Sequence, residues 1–446
     1  MNDLKKQSEP FSRRGFLQVG SLSLLAPSVC QAVEAAPSSK SVSSPKRSCI
    51  FMHLQGGPSH LDLWDLKPQA SAEVRGTYQT IDTPVPGIQF GELMQGTSRV
   101  ANHLAVIRGM THKFTNHIAG TYVTLTGSDN QQDRDREAHA DDFPGPAAIL
   151  NYLEKTDAKI PRSISLPSWL SIPGPSNRMP GQYAGFLGGV NDPFLIKGEI
   201  HQPDFKPLSL TPHQDLKITR LQSRLQLFSQ LDQAAWRLES QLCIRYDHLL
   251  HSAYNLVTDG RFRKALDIGQ EPDSIRDRYG RNKLGQSLLM ARRLVEAGVQ
   301  FVGFNEFNQK WDTHGGLVGR YNTIVPEMDQ GYSALVKDLA DRGMLDSTLV
   351  VNAGEFGRTP VINKQAGRDH WPNAYTTVLA GGGIQGGQIL GATDNKGAEV
   401  TDRPTHPSDI LATMWQQLGI NPKTEIIDRV NRPYMVSTGQ VISELL

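Results

Sequence analysis

Cysteine is nearly absent from this chain: Cys30, Cys49 and Cys243 are the only three in 446 residues, and none form a Cys-x-x-Cys pair. That scarcity argues against a thiolate zinc site or an iron–sulfur cluster. Cys49 opens a strand-like run and Cys243 lies in a helix-like one, so both read as buried, unpaired thiols rather than a disulfide. A dominant charge is missing as well. Forty-six Lys and Arg against 45 Asp and Glu leave a formal net charge of +1, which gives no global basic field for nucleic acid. Any recognition of anions must be local. No stretch approaches the about 20 uninterrupted apolar residues of a stable membrane span. Repeats and low-complexity segments are lacking in the body of the chain.

The N-terminus carries the clearest address. In "SRRGFLQVGSLSLLAPSVC" the pair Arg13-Arg14 is followed by Phe16, Leu17 and a modest apolar stretch to about Val29. Small residues then suit cleavage near Ala35. Residues 1–35 therefore read as a twin-arginine signal peptide, and residues 36–47 as a Ser/Pro linker. The expectation is a periplasmic or secreted protein delivered by the Tat export machinery, with no stable membrane span and no nucleic-acid partner. Export in the folded state suits a chain that carries a bound metal.

From residue 48 onward, apolar runs alternate with helical patterns. Cys49–Leu54, His103–Met110, Val299–Phe307, Ser347–Glu355 and Ala374–Gly383 each read as a buried strand. "NKLGQSLLMARRLVEAG", "IVPEMDQGYSALVKDLADRGM" and "HPSDILATMWQQLGI" show helical spacing, and the first stops at Gly298. Such alternation predicts an α/β domain over residues 48–446, with a mostly parallel sheet and helices on both faces. An amphipathic stretch at about 208–258 reads as a helical insertion.

In open α/β sheets, ligands gather beyond the carboxyl ends of the strands. Polar residues recur there: Ser59, His60, Asp62 and Asp65; His112, Thr115, Asn116 and His117; Asn305, Glu306, Asp312 and His314; Glu355, Arg358, Asp369 and His370. Imidazoles and carboxylates together suit zinc, manganese or iron. Such ions clamp an anionic substrate and activate its nucleophile. Arg358 is placed to hold a phosphate or sulfate oxygen.

The segments "GGPSHLDLWDLKP", "GTYVTLTG", "YGRNKLGQSLLMARRLVEAGVQFV", "WDTHGG", "GEFGRTP" and "GRDHWP" resemble the exported bacterial family called domain of unknown function 1501. That family resembles in turn the alkaline phosphatase and sulfatase superfamily. The resemblance implies an alkaline phosphatase-like three-layer sandwich and a metal-dependent hydrolase of phosphate or sulfate esters. Its substrate would be a small anionic ester or a sulfated or phosphorylated glycan. Divalent metal ions are implied, zinc first, with manganese, iron or calcium as alternatives. Asp312 and His314 fall on a metal-binding strand and loop. Glu355 falls on a metal-binding Asp, and Phe356 on the neighbouring His, leaving His370 to restore the imidazole, with Asp369 beside it. Gln55 replaces the superfamily's first Asp, and His60 or Asp62 is the expected substitute. His117 falls on the sulfatase nucleophile position, where no cysteine stands, so formylglycine chemistry is excluded. The nucleophile stays open between the hydroxyl of Thr115 and another group, with His117 as an alternative ligand. A non-catalytic binding or scaffold protein that keeps the fold is the competing reading.

Overall fold

The computed structural model describes residues 47–153, 160–172, 178–205, 259–306 and 309–446, together with Ser223. The predicted insertion at 208–258 and Cys243 thus lie outside the described residues, apart from Ser223, as do the signal segment and all of the linker but Arg47.

All five predicted strands enter one eight-stranded sheet. In chain order its strands are β1 (Ser48–His53), β2 (Leu104–Met110), β3 (Ser163–Leu166), β4 (Phe194–Leu195), β5 (Phe301–Asn305), β6 (Thr348–Ala353), β7 (Tyr375–Ala380) and β8 (Gln388–Leu390). Their spatial order is β8-β2-β7-β6-β1-β5-β3-β4. Only β7 runs against its neighbours, β2 and β6; every other pairing is parallel. Three strands, β3, β4 and β8, were not anticipated. They have two to four residues each, too few to show a period.

β1 sits between β5 and β6 and is buried along its whole length, which is why it is apolar at nearly every position. The pleat divides its side chains. Ile50 and Met52 join one core, and Cys49 and Phe51 join the other. The principal helices are α1 (His117–Thr126), α2 (Pro146–Leu153), α3 (Lys283–Glu296), α4 (Leu317–Asp341) and α5 (Pro407–Gln417). α3 and α4 pack into the first core through Leu288, Leu294, Val325 and Leu335. α1, α2 and α5 pack into the second through Ile118, Ile149 and Trp415. Helices therefore cover both faces, giving the three layers of an alkaline phosphatase-like α/β fold. Cys49 is a buried free thiol, and burial raises its pKa far above the usual thiol value.

Among the described residues, no helix is long and apolar enough to cross a membrane. α1 is buried at every position, which accounts for its small and apolar composition. Asn116 caps it, its Oδ1 accepting from Ile118 N at 2.9 Å, and Gly127 ends it in the left-handed region at φ 68°. This fixes His117 as the first helical residue.

Candidate metal centre

Because the central strands are parallel, their carboxyl ends share one edge of the sheet. The loop after β5 brings Asp312 and His314 there, the end of β6 brings Glu355, and the link from β2 to α1 brings His117. His370 arrives by a return loop. It pairs with Arg358 in a short antiparallel ribbon, Gly357–Arg358 against His370–Trp371. Two glycines allow this crowding. Gly56 has φ 116°, and a Cβ on it would collide with the backbone nitrogen of Asp312. A Cβ on Gly367 would strike the carbonyl group of His314.

His117, Asp312 and His370 each present one ligand-type atom, all within 4.8 Å of one another. His314 joins them. Its Nε2 lies 3.0 Å from His370 Nε2 and 3.2 Å from Asp312 Oδ1. His370 Nε2 lies 3.4 Å from the same oxygen, and His117 Nε2 lies 3.3 Å from Asp312 Oδ2. Ligand atoms about 2.0–2.1 Å from a tetrahedral zinc ion stand roughly 3.3–3.4 Å apart. The spacing is that of a ligand set.

The far nitrogen of each ring settles which tautomer is present. His370 Nδ1 is 2.6 Å from the Thr115 carbonyl oxygen, which only accepts, so Nδ1 carries the proton. His314 Nδ1 donates to Asp369 Oδ1 at 2.6 Å, and His117 Nδ1 donates to Glu355 Oε1 at 2.6 Å. With Nδ1–H committed in each ring, Nε2 is the nitrogen left to face the Asp312 carboxylate, and it offers a lone pair once any proton on it is displaced. His117 Nε2 is buried and has no hydrogen-bond partner. Imidazole nitrogens gathered on one carboxylate in this way suit a cation, and the outer hydrogen bonds are those that orient metal-binding imidazoles. A divalent metal fits these residues.

The charges agree. Burial alone would lower the His117 pKa, but Asp312 and Glu355 outweigh it and raise it to about 9, so without an ion this ring keeps a proton on Nε2, which a bound metal would displace. Burial alone would raise the Asp312 pKa, yet His117, His370 and Arg358 hold it well below the usual carboxylate range. Glu355 falls to about 2 against its burial, chiefly through His117. Burial lowers the His370 pKa, keeping the ring neutral as a ligand must be. The Asp312 and Glu355 carboxylates are thus ionised, balanced by Arg358 and by the His117 proton that a divalent ion would replace. It opens to solvent on the His314 side, where that side chain is 49% exposed.

The remaining candidates take other places. Glu355 and Asp369 stand behind His117 and His314, one imidazole away from the converging atoms. Thr115 contributes its carbonyl, while its hydroxyl donates to Asp133 Oδ2 at 2.7 Å. Arg358 is fully buried and already engaged. Its Nε donates to Gly57 O at 2.8 Å, its Nη1 to Arg368 O at 3.0 Å, and its Nη2 to Gly56 O and, at 2.8 Å, to Asp312 Oδ1. It ties the β1, β5 and β6 loops together and aims Asp312. His60 is not brought to the centre, since its Nε2 donates to Gly397 O at 2.8 Å.

The β1 contribution is instead His53, which the sequence reading passed over. Its Nε2 lies 3.6 Å from Glu355 Oε2 and 3.5 Å from Thr121 Oγ1. The one signal for it was a histidine near the end of an otherwise apolar strand. Gln55 points elsewhere, to Ser171 O at 3.0 Å.

A family model for DUF1501, described as a protein of unknown function, matches residues 46–446. The chain belongs to the DUF1501 family. No curated protein matches it. Among solved structures, the DUF1501 chain is similar to the lipoteichoic acid synthase LtaP from Listeria monocytogenes, at 10% identity and a TM-score of 0.43, over 88% of this chain and 75% of that one. It is also similar to the PsFucS1 sulfatase from Pseudoalteromonas sp., at 12% identity and a TM-score of 0.37, over 84% and 68%. A third similar structure is Ps i-CgsB in complex with k-i-k-neocarrahexaose, at 12% identity and a TM-score of 0.40, over 84% and 72%.

Proposed function

We propose that this DUF1501 protein is an exported metal-dependent hydrolase of phosphate or sulfate esters, with His117, Asp312, His314 and His370 as the metal ligands. The observation that carries the reading is the convergence of the imidazole Nε2 atoms on Asp312, each with its Nδ1 tied to an oxygen. Three imidazoles and one carboxylate favour zinc, with manganese or iron next. Calcium, which takes oxygen ligands, suits this set poorly. A bound divalent ion would supply Lewis acidity toward an ester oxygen and a nucleophilic water near neutral pH.

The protein's own residues hold that arrangement in place. Asp369, Glu355 and the Thr115 carbonyl keep the Nε2 lone pairs aimed inward. Arg358 fixes Asp312, so its role becomes positioning rather than gripping the substrate anion. The Thr115 hydroxyl is bound to Asp133, which favours water over Thr115 as the nucleophile. The substrate is a small anionic ester or a sulfated or phosphorylated glycan, met after twin-arginine export to the periplasm or medium.

The engagement of Arg358 also favours a second reading, a metal-holding but non-catalytic binding protein. Metal analysis of protein taken from its export compartment, paired with a screen of phosphate and sulfate esters, decides between them. The hydrolase reading expects stoichiometric transition metal and turnover, with both lost in His314→Ala and His370→Ala. Metal without turnover leaves the binding protein. Protein that is metal-free, inactive and indifferent to both substitutions would falsify the site.

A further inference from the structure

A cavity of about 710 Å³ lies at the opposite end of α1 from His117, lined by the last residues of that helix and by the hairpin Glu425–Ile427/Pro433–Met435. Its walls combine two chemistries. One is aromatic: Tyr434 stacks on Phe186 with ring centres 5.2 Å apart, and Phe143 meets Phe186 edge-on at 5.6 Å. The other is a fringe of hydrogen-bonding groups. Asp129, Asp141, Asp142 and Asp428 share the lining with Arg429 and Arg432; Asp428 is paired with Arg432 at 2.7 Å and Asp142 with Arg136 at 2.9 Å. Arg429 is exposed and has no ion-pair or hydrogen-bond partner among the described residues. With aspartates outnumbering arginines, these walls disfavour a polyanion. A partly open aromatic wall beside carboxylates and a free guanidinium is instead suited to a ligand with apolar C–H faces and many hydroxyls.

The cavity and the metal centre lie at the two ends of α1. α1 spans about 13 Å from His117 to Thr126. The loop from Asp129, which lines the cavity, reaches the centre at Asp133, which accepts from Thr115 N at 3.0 Å and Asn116 N at 2.8 Å. A short oligosaccharide is long enough to cover that distance.

We propose that this cavity binds an uncharged sugar unit of a glycan whose charged ester group is presented to the metal centre. The link to the centre rests on the hydrolase reading; the sugar site itself does not. Titration of the full exported protein with cellobiose, lactose and chitobiose, followed by saturation-transfer NMR, tests the sugar site without requiring activity. At least one disaccharide is expected to bind. Tyr434→Ala and Arg429→Ala should each weaken it by about tenfold while metal content stays unchanged. Arg429→Ala removes no native partner and so guards against a folding artefact. Absence of binding by all three disaccharides, or binding indifferent to both substitutions, overturns the proposal. If esters are not hydrolysed while the disaccharide still binds and responds to the substitutions, the hydrolase reading fails and the sugar site stands.

Discussion

Two loops at the same edge of the sheet carry nearly the same residue types and reach opposite ends. After β1, the segment "SHLDLWD" offers His60, Asp62 and Asp65. After β5, "WDTHGG" offers Asp312 and His314. In the first loop both carboxylates are closed off, and His60 keeps only its Nδ1 without a hydrogen-bond partner. Asp62 Oδ2 accepts from Ser59 Oγ at 2.5 Å and Arg368 Nε at 2.9 Å. Asp65 is paired with Arg108 at 3.3 Å and Lys67 at 3.0 Å, and also accepts from Thr393. His60 is held by Gly397. In the second loop, imidazole nitrogens gather on a carboxylate that has a single fixed donor, Arg358 Nη2 at 2.8 Å. A carboxylate closed off by donors is a structural member; one that shares its remaining faces with imidazole nitrogens suits a cation.

The comparison can be broken most directly at His370. His370→Ala should abolish stoichiometric metal binding, measured by metal analysis and calorimetry, whereas His60→Ala should leave it intact. If His60→Ala loses the metal instead, the two loops have been assigned the wrong way round.

Asp62→Ala comes next. It leaves the buried Arg368 guanidinium without its carboxylate, and should lower stability by about 3–5 kcal/mol in denaturant unfolding. The metal content of the folded fraction should not change. Smaller effects belong to the residues behind the ligands. Glu355→Gln and Asp369→Asn are each expected to weaken metal affinity by about 10–100-fold. An unchanged affinity would mean that neither carboxylate orients its imidazole.

The smallest effect is on pH. Burial alone would raise the Asp65 pKa, but Arg108, Lys67 and Thr393 outweigh it and hold it below the usual range. A depressed folded pKa means the stabilisation is complete above the unfolded value, about 3.9. It is lost as pH falls through the folded one. Asp65→Asn should therefore flatten the acid limb of the stability profile below about pH 4 and leave the metal affinity near neutral pH alone.

Much of this was legible from residue order. Long apolar runs reveal central parallel strands, because burial on both faces leaves little choice of residue. Asp312, His314 and His370 stood out as polar groups beyond strand ends. The reversal of β7 was not legible, since strand direction leaves no trace in composition. His53 was hidden for the opposite reason: it lies within an apolar run and so read as part of the strand. Arg358 looked like an anion ligand because a guanidinium near a glycine-rich loop has that appearance. Only its backbone acceptors show that its donors are already used.

The amino-acid order by itself determined the layers of this protein, through the period of its apolar residues, and it placed the chemically capable groups at the strand ends. Which of those groups meet, and which are neutralised before they can, was decided by the tertiary structure. The reason is physical: the role of a histidine or carboxylate depends on whether donors or acceptors surround it. Those neighbours come from loops hundreds of residues apart, as His117 Nδ1 meets Glu355 Oε1 across 238 positions.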